Sequence, residues 1–391
     1  MIYRQFKDLS LSLLGFGCMR FPMKDEQIDE AEVGRMVEYA IENGVNYFDT
    51  AYPYHDGLSE LIISKELKKY PKDKWFLATK YPGHQIAETY YPEEIFEEQL
   101  RKCQTDCFDF YLLHNIYENS YKTYTDPKWK IAEYFVKQKE KGRIKHLGFS
   151  CHADSEMMKN FLDIFGDVME FCQVQLNYLD WTLQKGKEKY NILEERNIPC
   201  WVMEPLRGGK LANLPENLTD KLKETCSDMS PAEQSFRFLI SLTNIKMILS
   251  GMSSLDQMKD NIRIFSTEKP FTEKDSSLLL SAAEKMKDNI PCTGCGYCRK
   301  MCPMELNIPH LLEKYNDLKF DPTFTVSMQI EAMPENRQPS ACIKCGKCKT
   351  QCPQLIDIPS CFADFSEKLK TLPKWSVMCK ERAEAAKKLK N

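Results

Sequence analysis

The sequence predicts an α/β protein of two parts, a TIM (β/α)8 barrel followed by a small, mostly α-helical domain. Short apolar runs alternate with amphipathic segments along roughly the first 265 residues, which is the pattern of a parallel barrel rather than of an open doubly wound sheet. After residue 290 the pattern changes, and cysteines recur at a fixed spacing in two groups. The chain has 391 residues, which is long enough for one large and one small domain.

Eight apolar runs are predicted to form the barrel strands. They cover residues 11–16, 45–48, 75–79, 108–113, 146–150, 171–176, 200–204 and 247–250. Helices are expected among them at residues 31–43, 92–105, 129–141, 154–165, 187–196 and 232–242. The residues around Lys7 and Asp8 are expected to form a hairpin that closes the barrel floor. No G-x-G-x-x-G follows the first strand, so the sequence gives no support to a Rossmann site.

Composition argues against several classes of protein. A formal net charge of -3 provides no broad attraction to nucleic acid or to a membrane surface. The chain lacks a run of about 18 apolar residues and its first residues lack the apolar core of a signal peptide, so the expected location is cytoplasmic. Seventeen cysteines are present, and eight of them lie in the two C-terminal groups. This distribution favours metal–sulfur chemistry in a reducing compartment over disulfides.

Three consecutive predicted strands are followed by ionisable side chains. Asp49 and Tyr54 follow the second strand, Lys80 follows the third and His114 follows the fourth. These strand ends face one mouth in a parallel barrel, so the four side chains are expected to converge there. Lys80, held by Asp49, would lower the pKa of Tyr54, and Tyr54 would then donate a proton to a carbonyl oxygen as hydride reaches the carbon. His114 would orient or polarise that oxygen. Any one of the four alone could equally be a cap or a solvated rim residue.

With these residues the chain resembles the aldo-keto reductases. Residues 48–54 (FDTAYPY), 78–80 (ATK) and 111–114 (YLLH) are similar to the catalytic motifs of that family. The resemblance implies an oxidoreductase that uses NAD(P)(H), with Asp49, Tyr54, Lys80 and His114 as its catalytic residues. The expected substrate is a small carbonyl compound or alcohol.

The same resemblance implies a set of cofactor contacts. Ser150 and Gln173 are expected to hydrogen-bond the nicotinamide amide, and Asn261 to bind adenine. The loop expected over the pyrophosphate comprises Pro205, Leu206, Arg207, Gly208 and Gly209, with Arg207 or Lys210 supplying charge. The segment that precedes Asn261 contributes Gly251, Ser253 and Gln257.

Three residues depart from the family pattern. Gly251 and Gln257 stand where many members carry a lysine and an arginine for the 2′-phosphate of NADP. Met203 stands where many carry a tyrosine stacked on the nicotinamide. The resemblance therefore leaves NAD, NADP and a flavin such as FMN open as occupants of the mouth.

Both cysteine groups have the spacing C-x2-C-x2-C-x3-C-P, which ligates [4Fe–4S] clusters in bacterial ferredoxins. In two-cluster ferredoxins the fourth cysteine of each run ligates the other cluster. We therefore expect one cluster on Cys292, Cys295, Cys298 and Cys352, and a second on Cys342, Cys345, Cys348 and Cys302. Two structural zinc sites are the alternative. Zinc ribbons, however, need neither the third cysteine nor the C-P ending.

These patterns predict a barrel at 1–270, a linker helix at 271–289 and a ferredoxin-type domain at 290–391 that ends in a basic helix. Three functions stay open. The clusters could relay electrons to or from carbonyl chemistry in the barrel, with a flavin as intermediary. They could instead brace an ordinary NAD(P)H-dependent reductase or dock an electron-transfer protein partner. Finally, the chain could be a non-catalytic redox sensor or regulatory subunit. No nucleic-acid or membrane partner is expected.

Overall fold

The computed structural model describes residues 1–85, 87–214, 229–286, 290, 292, 296–320, 322, 324–352 and 355–388. Two compact units are present, Met1–Ala282 and Ala283–Lys388. The first begins with a hairpin of β1 (Tyr3–Phe6) and β2 (Leu9–Ser12), and a second small hairpin is formed by β4 (Met23–Lys24) and β5 (Gln27–Ile28).

The other strands of the first unit form a closed parallel barrel, which confirms the predicted TIM fold. They are β3 (Leu14–Gly17), β6 (Tyr47–Asp49), β7 (Phe76–Tyr81), β8 (Phe108–Ile116), β9 (Ile144–Cys151), β10 (Cys172–Gln175), β11 (Cys200–Met203) and β12 (Ile245–Ser250). Neighbours in the barrel are neighbours in the chain, and β12 pairs with β3 to close it. The carboxyl ends of the strands therefore share one mouth.

Helices follow the strands and surround the barrel. Those within the described ranges are Glu30–Glu42, Ser59–Leu67, Pro92–Cys103, Glu118–Thr125, Ile131–Glu140, Ser155–Phe165, Asp180–Leu183, Gly186–Glu195, Pro231–Ile240 and Leu255–Ser266. A further helix, Glu273–Met286, crosses the division between the two units. Four of the helices begin at a side chain that accepts a hydrogen bond from the backbone N–H three residues later: Asp29, Asp154, Ser230 and Ser254. Such caps satisfy one of the free N–H groups of the first turn.

The floor of the barrel is closed by the first hairpin, as expected. Its turn lies at Lys7, whose φ is 52°. Phe6 is buried and packs edge-on against Trp201, with ring centroids 5.0 Å apart. The same core contains Tyr47, Phe110 and side chains from the other strands. The interior is thus filled by large side chains beneath the mouth.

The predicted first strand at 11–16 is wrong at its start. Leu11 pairs with Arg4 in the hairpin, and the barrel strand begins at Leu14. The break follows Ser12, which pairs with Tyr3 in the hairpin and is also bonded to Asn46: the Ser12 N–H donates to Asn46 Oδ1 at 2.8 Å, and the Asn46 N–H donates to Ser12 Oγ at 3.0 Å. The apolar run is thus divided between two sheets.

The second unit is mainly helical, as predicted. Its longer helices are Ile308–Phe320, Phe324–Glu331, Ile358–Lys370 and Trp375–Lys388. Leu311, Phe362 and Phe365 are fully buried in its core, and Tyr315 stacks on Phe365 with centroids 5.2 Å apart. The basic C-terminal helix was expected to begin at residue 368. Instead one helix ends at Lys370 and the next begins at Trp375, because Pro373 lies between them and cannot continue a helix.

Within the described ranges, none of the helices has the length and apolar character needed to cross a bilayer.

Candidate active site and metal centre

Asp49 and Lys80 form a buried ion pair at the barrel mouth. Asp49 is the last residue of β6, and Lys80 lies near the end of the neighbouring strand β7. The Lys80 ammonium donates to Asp49 Oδ1 at 2.5 Å and to the Thr50 carbonyl oxygen at 2.7 Å. Lys80 is fully buried and Asp49 is 3% exposed. The parallel register thus holds the lysine by two acceptors from the strand beside it.

Tyr54 and His114 complete the group predicted from the motifs. Tyr54 begins a tight turn in which His55 and Asp56 have φ of 51° and 54°. The Lys80 Nζ lies 4.9 Å from the centroid of the Tyr54 ring. The His114 ring, from β8, is nearly perpendicular to the Tyr54 ring at a centroid distance of 5.8 Å. The structure therefore brings a carboxylate, an ammonium, a phenol and an imidazole to one place.

Burial and the neighbouring charges act in opposite directions on these groups. Burial raises the pKa of Tyr54, and Lys80 offsets part of that rise. We expected Lys80 to lower the pKa; its own effect has that sign, but burial of the hydroxyl end outweighs it. Burial opposes the charge of Lys80, yet Asp49 and Tyr54 raise the Lys80 pKa above its ordinary value. The lysine is therefore an ammonium beside a protonated phenol.

A second polar network lies behind Lys80. Glu60 is fully buried, and its Oε1 accepts hydrogen bonds from Thr79 Oγ1 and Gln99 Nε2, each at 2.6 Å. The same Gln99 amide donates to the Lys80 carbonyl oxygen at 3.1 Å. Lys102 pairs with Glu60 Oε2 at 2.6 Å. This network fixes the backbone at Lys80. The sequence motifs did not identify it.

His84 also lies at the mouth. It is 3% exposed, and its ring centroid is 4.3 Å from that of His114. Gly83 permits this arrangement, because a Cβ there would lie 2.7 Å from the ring of Tyr124. The Tyr124 hydroxyl donates to the carbonyl oxygens of His114 and Tyr81. From the sequence His84 was one of several scattered histidines, and only the fold pairs it with His114.

The two residues expected at the nicotinamide amide lie side by side. Gln173 in β10 is paired in register with Ser150 in β9. Ser150 Oγ accepts the Asn115 N–H at 2.7 Å, and the Gln173 amide nitrogen contacts Met203 Sδ at 3.7 Å. Within the described residues the buried Gln173 Oε1 has no hydrogen-bond partner. A primary amide such as that of nicotinamide would satisfy this oxygen, so these residues fit the group.

The expected pyrophosphate loop is formed, but one of its two cations is turned inward. Gly208 and Gly209 have φ of 65° and 90°, which favours glycine. Pro205 is buried and its carbonyl oxygen accepts the Ser235 hydroxyl, whereas Leu206 is partly exposed. Arg207 is 3% exposed and pairs with the buried Asp180 at 2.8 Å. Lys210 is exposed and is therefore the cation of this loop that faces solvent.

The segment after β12 is occupied by Arg20. A Cβ on Gly251 would lie 3.1 Å from Arg20 Cδ, and the Ser253 hydroxyl donates to the Arg20 carbonyl oxygen. The Gln257 Oε1 accepts the Ser253 N–H at 2.8 Å. Asn261 is 6% exposed and donates to Ser250 Oγ at 3.0 Å. The exposed Arg20 side chain thus packs against Gly251 and would have to shift slightly for a side chain at position 251, which the motifs did not indicate.

Four cysteines in the second unit line one small cavity of about 20 Å³: Cys302, Cys342, Cys345 and Cys348. Cys302 belongs to the first motif and the other three to the second, so the structure brings together the crossed set expected for one cluster. Burial, followed by the neighbouring Cys342 and Cys302 thiols, raises the pKa of Cys348. Within the described residues, no three metal-binding side chains converge on a single ion. Four thiols are a suitable donor set for a [4Fe–4S] cluster and for zinc alike, and it is the spacing of the two motifs that favours the cluster.

The other predicted ligand set is only partly described. Cys298 is 7% exposed, and Cys292 and Cys352 pack against the same core. The turn Tyr297–Lys300 contacts the turn Lys349–Gln351, which precedes Cys352. The two motifs therefore meet at this end as well. Cys295 lies outside the described residues.

Comparisons with known proteins agree with this division. The aldo/keto reductase family model matches residues 13–284, and a model for a 4Fe-4S dicluster domain matches residues 291–356. The chain is 24% identical over 299 residues to the uncharacterized oxidoreductase YqkF of Bacillus subtilis strain 168, covering 70% of this chain and 93% of that protein. It is 22% identical over 327 residues to the NADH-specific methylglyoxal reductase of Escherichia coli K12, covering 72% and 97%.

Among solved structures, the chain is similar to the holo form of the aldo-keto reductase AKR11C1 from Bacillus halodurans. The TM-score is 0.59 and the identity 25%, with 72% of this chain and 96% of that one covered.

Proposed function

The chain belongs to the aldo/keto reductase family, and from this premise we propose that its barrel interconverts a small carbonyl compound and the corresponding alcohol with NAD(P)(H). The observation that carries this proposal is the convergence of Asp49, Lys80, Tyr54 and His114 at the mouth, with the Lys80 ammonium 4.9 Å from the Tyr54 ring. The chain is an oxidoreductase, and this arrangement supports carbonyl chemistry within that class.

Tyr54 is the proposed proton donor. Because burial keeps its pKa high, the hydroxyl retains its proton until negative charge develops on the carbonyl oxygen. The Lys80 ammonium then stabilises the phenolate that remains after transfer. Asp49 keeps Lys80 in place through the 2.5 Å bond and supports its charged form. In alcohol oxidation the same phenolate takes the proton back.

His114 is proposed to orient the substrate oxygen. Its ring stands perpendicular to that of Tyr54, so one carbonyl oxygen placed between them can contact both side chains. The neighbouring His84 ring restricts how far the His114 ring can turn. The position of the oxygen is thus set by two rings that are themselves held by packing.

A nicotinamide dinucleotide, when bound, supplies or accepts the hydride. We propose that Ser150 and Gln173 hold its amide, since Gln173 Oε1 is buried without a partner in the described part of the chain. Pro205, Leu206, Gly208 and Gly209, with Lys210, would cover the pyrophosphate, and Asn261 would contact adenine. Arg207 would support this loop from inside through Asp180. Gly251, Ser253 and Gln257 carry no charge themselves, and Arg20, which lies against Gly251, is the cation beside them, so the proposal covers both NAD(H) and NADP(H).

Substitution of Tyr54 by phenylalanine tests the barrel proposal. Because one relative carries the name methylglyoxal reductase, a small aldehyde is a suitable first substrate. Tyr54→Phe should lower kcat by at least about 100-fold, the usual contribution of a positioned acid, while leaving dinucleotide affinity unchanged. Undiminished turnover would show that Tyr54 is not the donor.

We further propose that the second unit holds two [4Fe–4S] clusters, on Cys342, Cys345, Cys348 and Cys302 and on Cys292, Cys295, Cys298 and Cys352. The support is the shared cavity of the first set and the match to a dicluster domain. Clusters exchange single electrons, whereas nicotinamide transfers two as hydride, so we propose a separate electron-transfer protein as the partner of this unit. FMN has no support among these observations and is not part of the proposal.

Anaerobic purification with iron, sulfide, zinc and flavin analysis tests the cluster proposal. We expect eight iron and eight sulfide per chain, the content of two cubane clusters. Stoichiometric zinc without sulfide would refute it, and stoichiometric FMN would restore the flavin alternative.

A further inference from the structure

The cavity shared by four cysteines opens to solvent on one side. Cys348 is 7% exposed, whereas Cys345 is an exposed residue. Ile343, which lines the same cavity, is 60% exposed. A group held by these thiols would therefore have protein on most sides and solvent at the edge formed by residues 343–346. An edge of this kind allows electron exchange with another molecule.

Large apolar side chains are exposed next to residues that line this cavity. Leu355 is 83% exposed, the highest value among the exposed large hydrophobic residues in the described ranges, and Met301 is 40% exposed. Leu355 comes three positions before Ile358 and Met301 directly precedes Cys302, and both Ile358 and Cys302 line the cavity. Exposed apolar residues that gather at a functional centre are typical of a surface that another protein covers.

The charges on the same segments are mainly positive. The exposed basic residues there are Arg299, Lys300, Lys344, Lys347 and Lys349. The neighbouring acids are already paired: Glu305 with Arg337 at 2.6 Å, and Asp357 with Lys349 at 3.0 Å. In the described part of the chain no ion pair engages Lys344 or Lys347. A positive rim around an apolar centre is complementary to an acidic protein, and not to a second copy of this basic surface.

We propose that this surface, the cysteine rim formed by Ile343, Lys344, Lys347 and Leu355, docks a small acidic one-electron carrier protein. This inference rests on the proposed clusters. The proposed step moves one electron from the carrier to the centre in the four-thiol cavity. The carrier is oxidised by one electron, the centre is reduced by one, and no atom is transferred. The lysines set the rate of encounter and the salt dependence, and the apolar side chains exclude water from the contact.

The test uses the anaerobic full-length holoprotein and an acidic flavodoxin as probe. Oxidised flavodoxin should bind by calorimetry at about 20 mM salt and about tenfold more weakly at about 300 mM, because the Debye length shortens. Lys344→Glu/Lys347→Glu should weaken binding about tenfold or more at low salt and slow reduction by flavodoxin hydroquinone equally. Lys374→Glu/Lys380→Glu is the matched control, because it makes the same charge change in the helix Trp375–Lys388 and at the residue before it. It should leave the flavodoxin affinity and the reduction rate within about twofold of wild type.

Leu355→Asn tests the apolar centre. Leu355 has a φ of 55°, which asparagine adopts readily, so the loop should keep its shape. We expect binding to weaken about threefold with an unchanged salt dependence, since the substitution removes apolar contact and no charge. Equal iron and sulfide content in every variant confirms that the centres are intact.

Reduced methyl viologen separates the two proposals. This small cation needs no acidic docking surface and should bleach the iron–sulfur absorbance of all variants alike. If it bleaches none, the proposed clusters are wrong. If it does bleach them but flavodoxin shows no binding at low salt, or binds the Lys344→Glu/Lys347→Glu variant as tightly as wild type, the rim is not a docking site for an acidic carrier. Salt-sensitive dimers with loss of flavodoxin binding would assign the surface to a second copy instead.

Discussion

Replacing Lys80 by methionine removes the one cation beside the proposed proton donor among the described residues. The Lys80 Nζ lies 4.9 Å from the Tyr54 ring centroid. At an effective dielectric constant of about 20, a unit charge at that distance stabilises a phenolate by about 3 kcal/mol. This corresponds to roughly two pKa units for Tyr54, and partial exposure of Tyr54 makes it an upper value. Burial already raises this pKa, so the variant's value should lie higher still.

Alcohol oxidation at varied pH is the assay, because that direction uses the phenolate as a base. Its rate rises with pH until the pH exceeds the pKa of Tyr54. In Lys80→Met the pH range over which the oxidation rate rises should shift to higher pH by up to about two units, and the rate at neutral pH should fall by up to about 100-fold. Dinucleotide affinity, measured by fluorescence, should be unchanged.

Loss of Lys80 also leaves Asp49 buried and unpaired, which costs about 3–5 kcal/mol of stability. Lys80→Met/Asp49→Asn is therefore the control: it removes both charges, and most of the lost stability should return. The pH profile should return only in part, because Asp49 raises the pKa of Tyr54 by less than Lys80 lowers it. If the oxidation rate of this folded double variant rises over the same pH range as that of wild type, the role assigned to Lys80 is refuted.

Three further predictions concern other parts of the chain. Gln173→Leu should weaken dinucleotide binding about tenfold by calorimetry, the loss of about one hydrogen bond, without altering thermal stability by more than a few degrees; unchanged affinity would remove Gln173 from the site. Gly251→Lys should strengthen NADPH binding, because it supplies a cation for the 2′-phosphate and the exposed Arg20 side chain, 3.1 Å from the added Cβ, can move aside; unchanged affinity would place position 251 away from that phosphate. Cys348→Ser should lose about half of the iron, whereas Cys361→Ser, which changes a cysteine outside both motifs, should retain all of it.

The sequence predicted the parts of the barrel in which local pattern and tertiary structure agree. Asp49, Lys80 and His114 could be placed at one mouth because each follows an apolar run, and parallel strands leave no choice about which end they share. The helix Ser59–Leu67 was not predicted, since its buried face includes Ser59, Glu60 and Glu66 and therefore lacks an apolar stripe. Glu60 belongs to the network behind Lys80, whereas the Ser59 hydroxyl donates to the Cys18 carbonyl oxygen and Glu66 pairs with Lys69.

Contacts between distant loops could not be predicted. From its place beside two glycines, Arg207 is expected to be a surface cation. In the structure it is buried and pairs with Asp180, which lies in a short helix 27 positions earlier in the chain. His84 meets His114 only because Gly83 lets the chain pass close to Tyr124. Arg20 reaches Gly251 from the other end of the barrel sequence. Each of these placements depends on three-dimensional packing, and no local spacing encodes it.

The crossing of Cys302 into the thiol group of the second motif has a consequence for biosynthesis. Neither half of the cysteine-rich region can build a complete ligand set by itself, so a chain that stops before residue 342 offers no finished centre for iron. On the proposed ligand sets, metal loading must therefore wait until the ribosome has delivered the second motif, residues 342–352. Termination before residue 342 should abolish both centres together instead of sparing one.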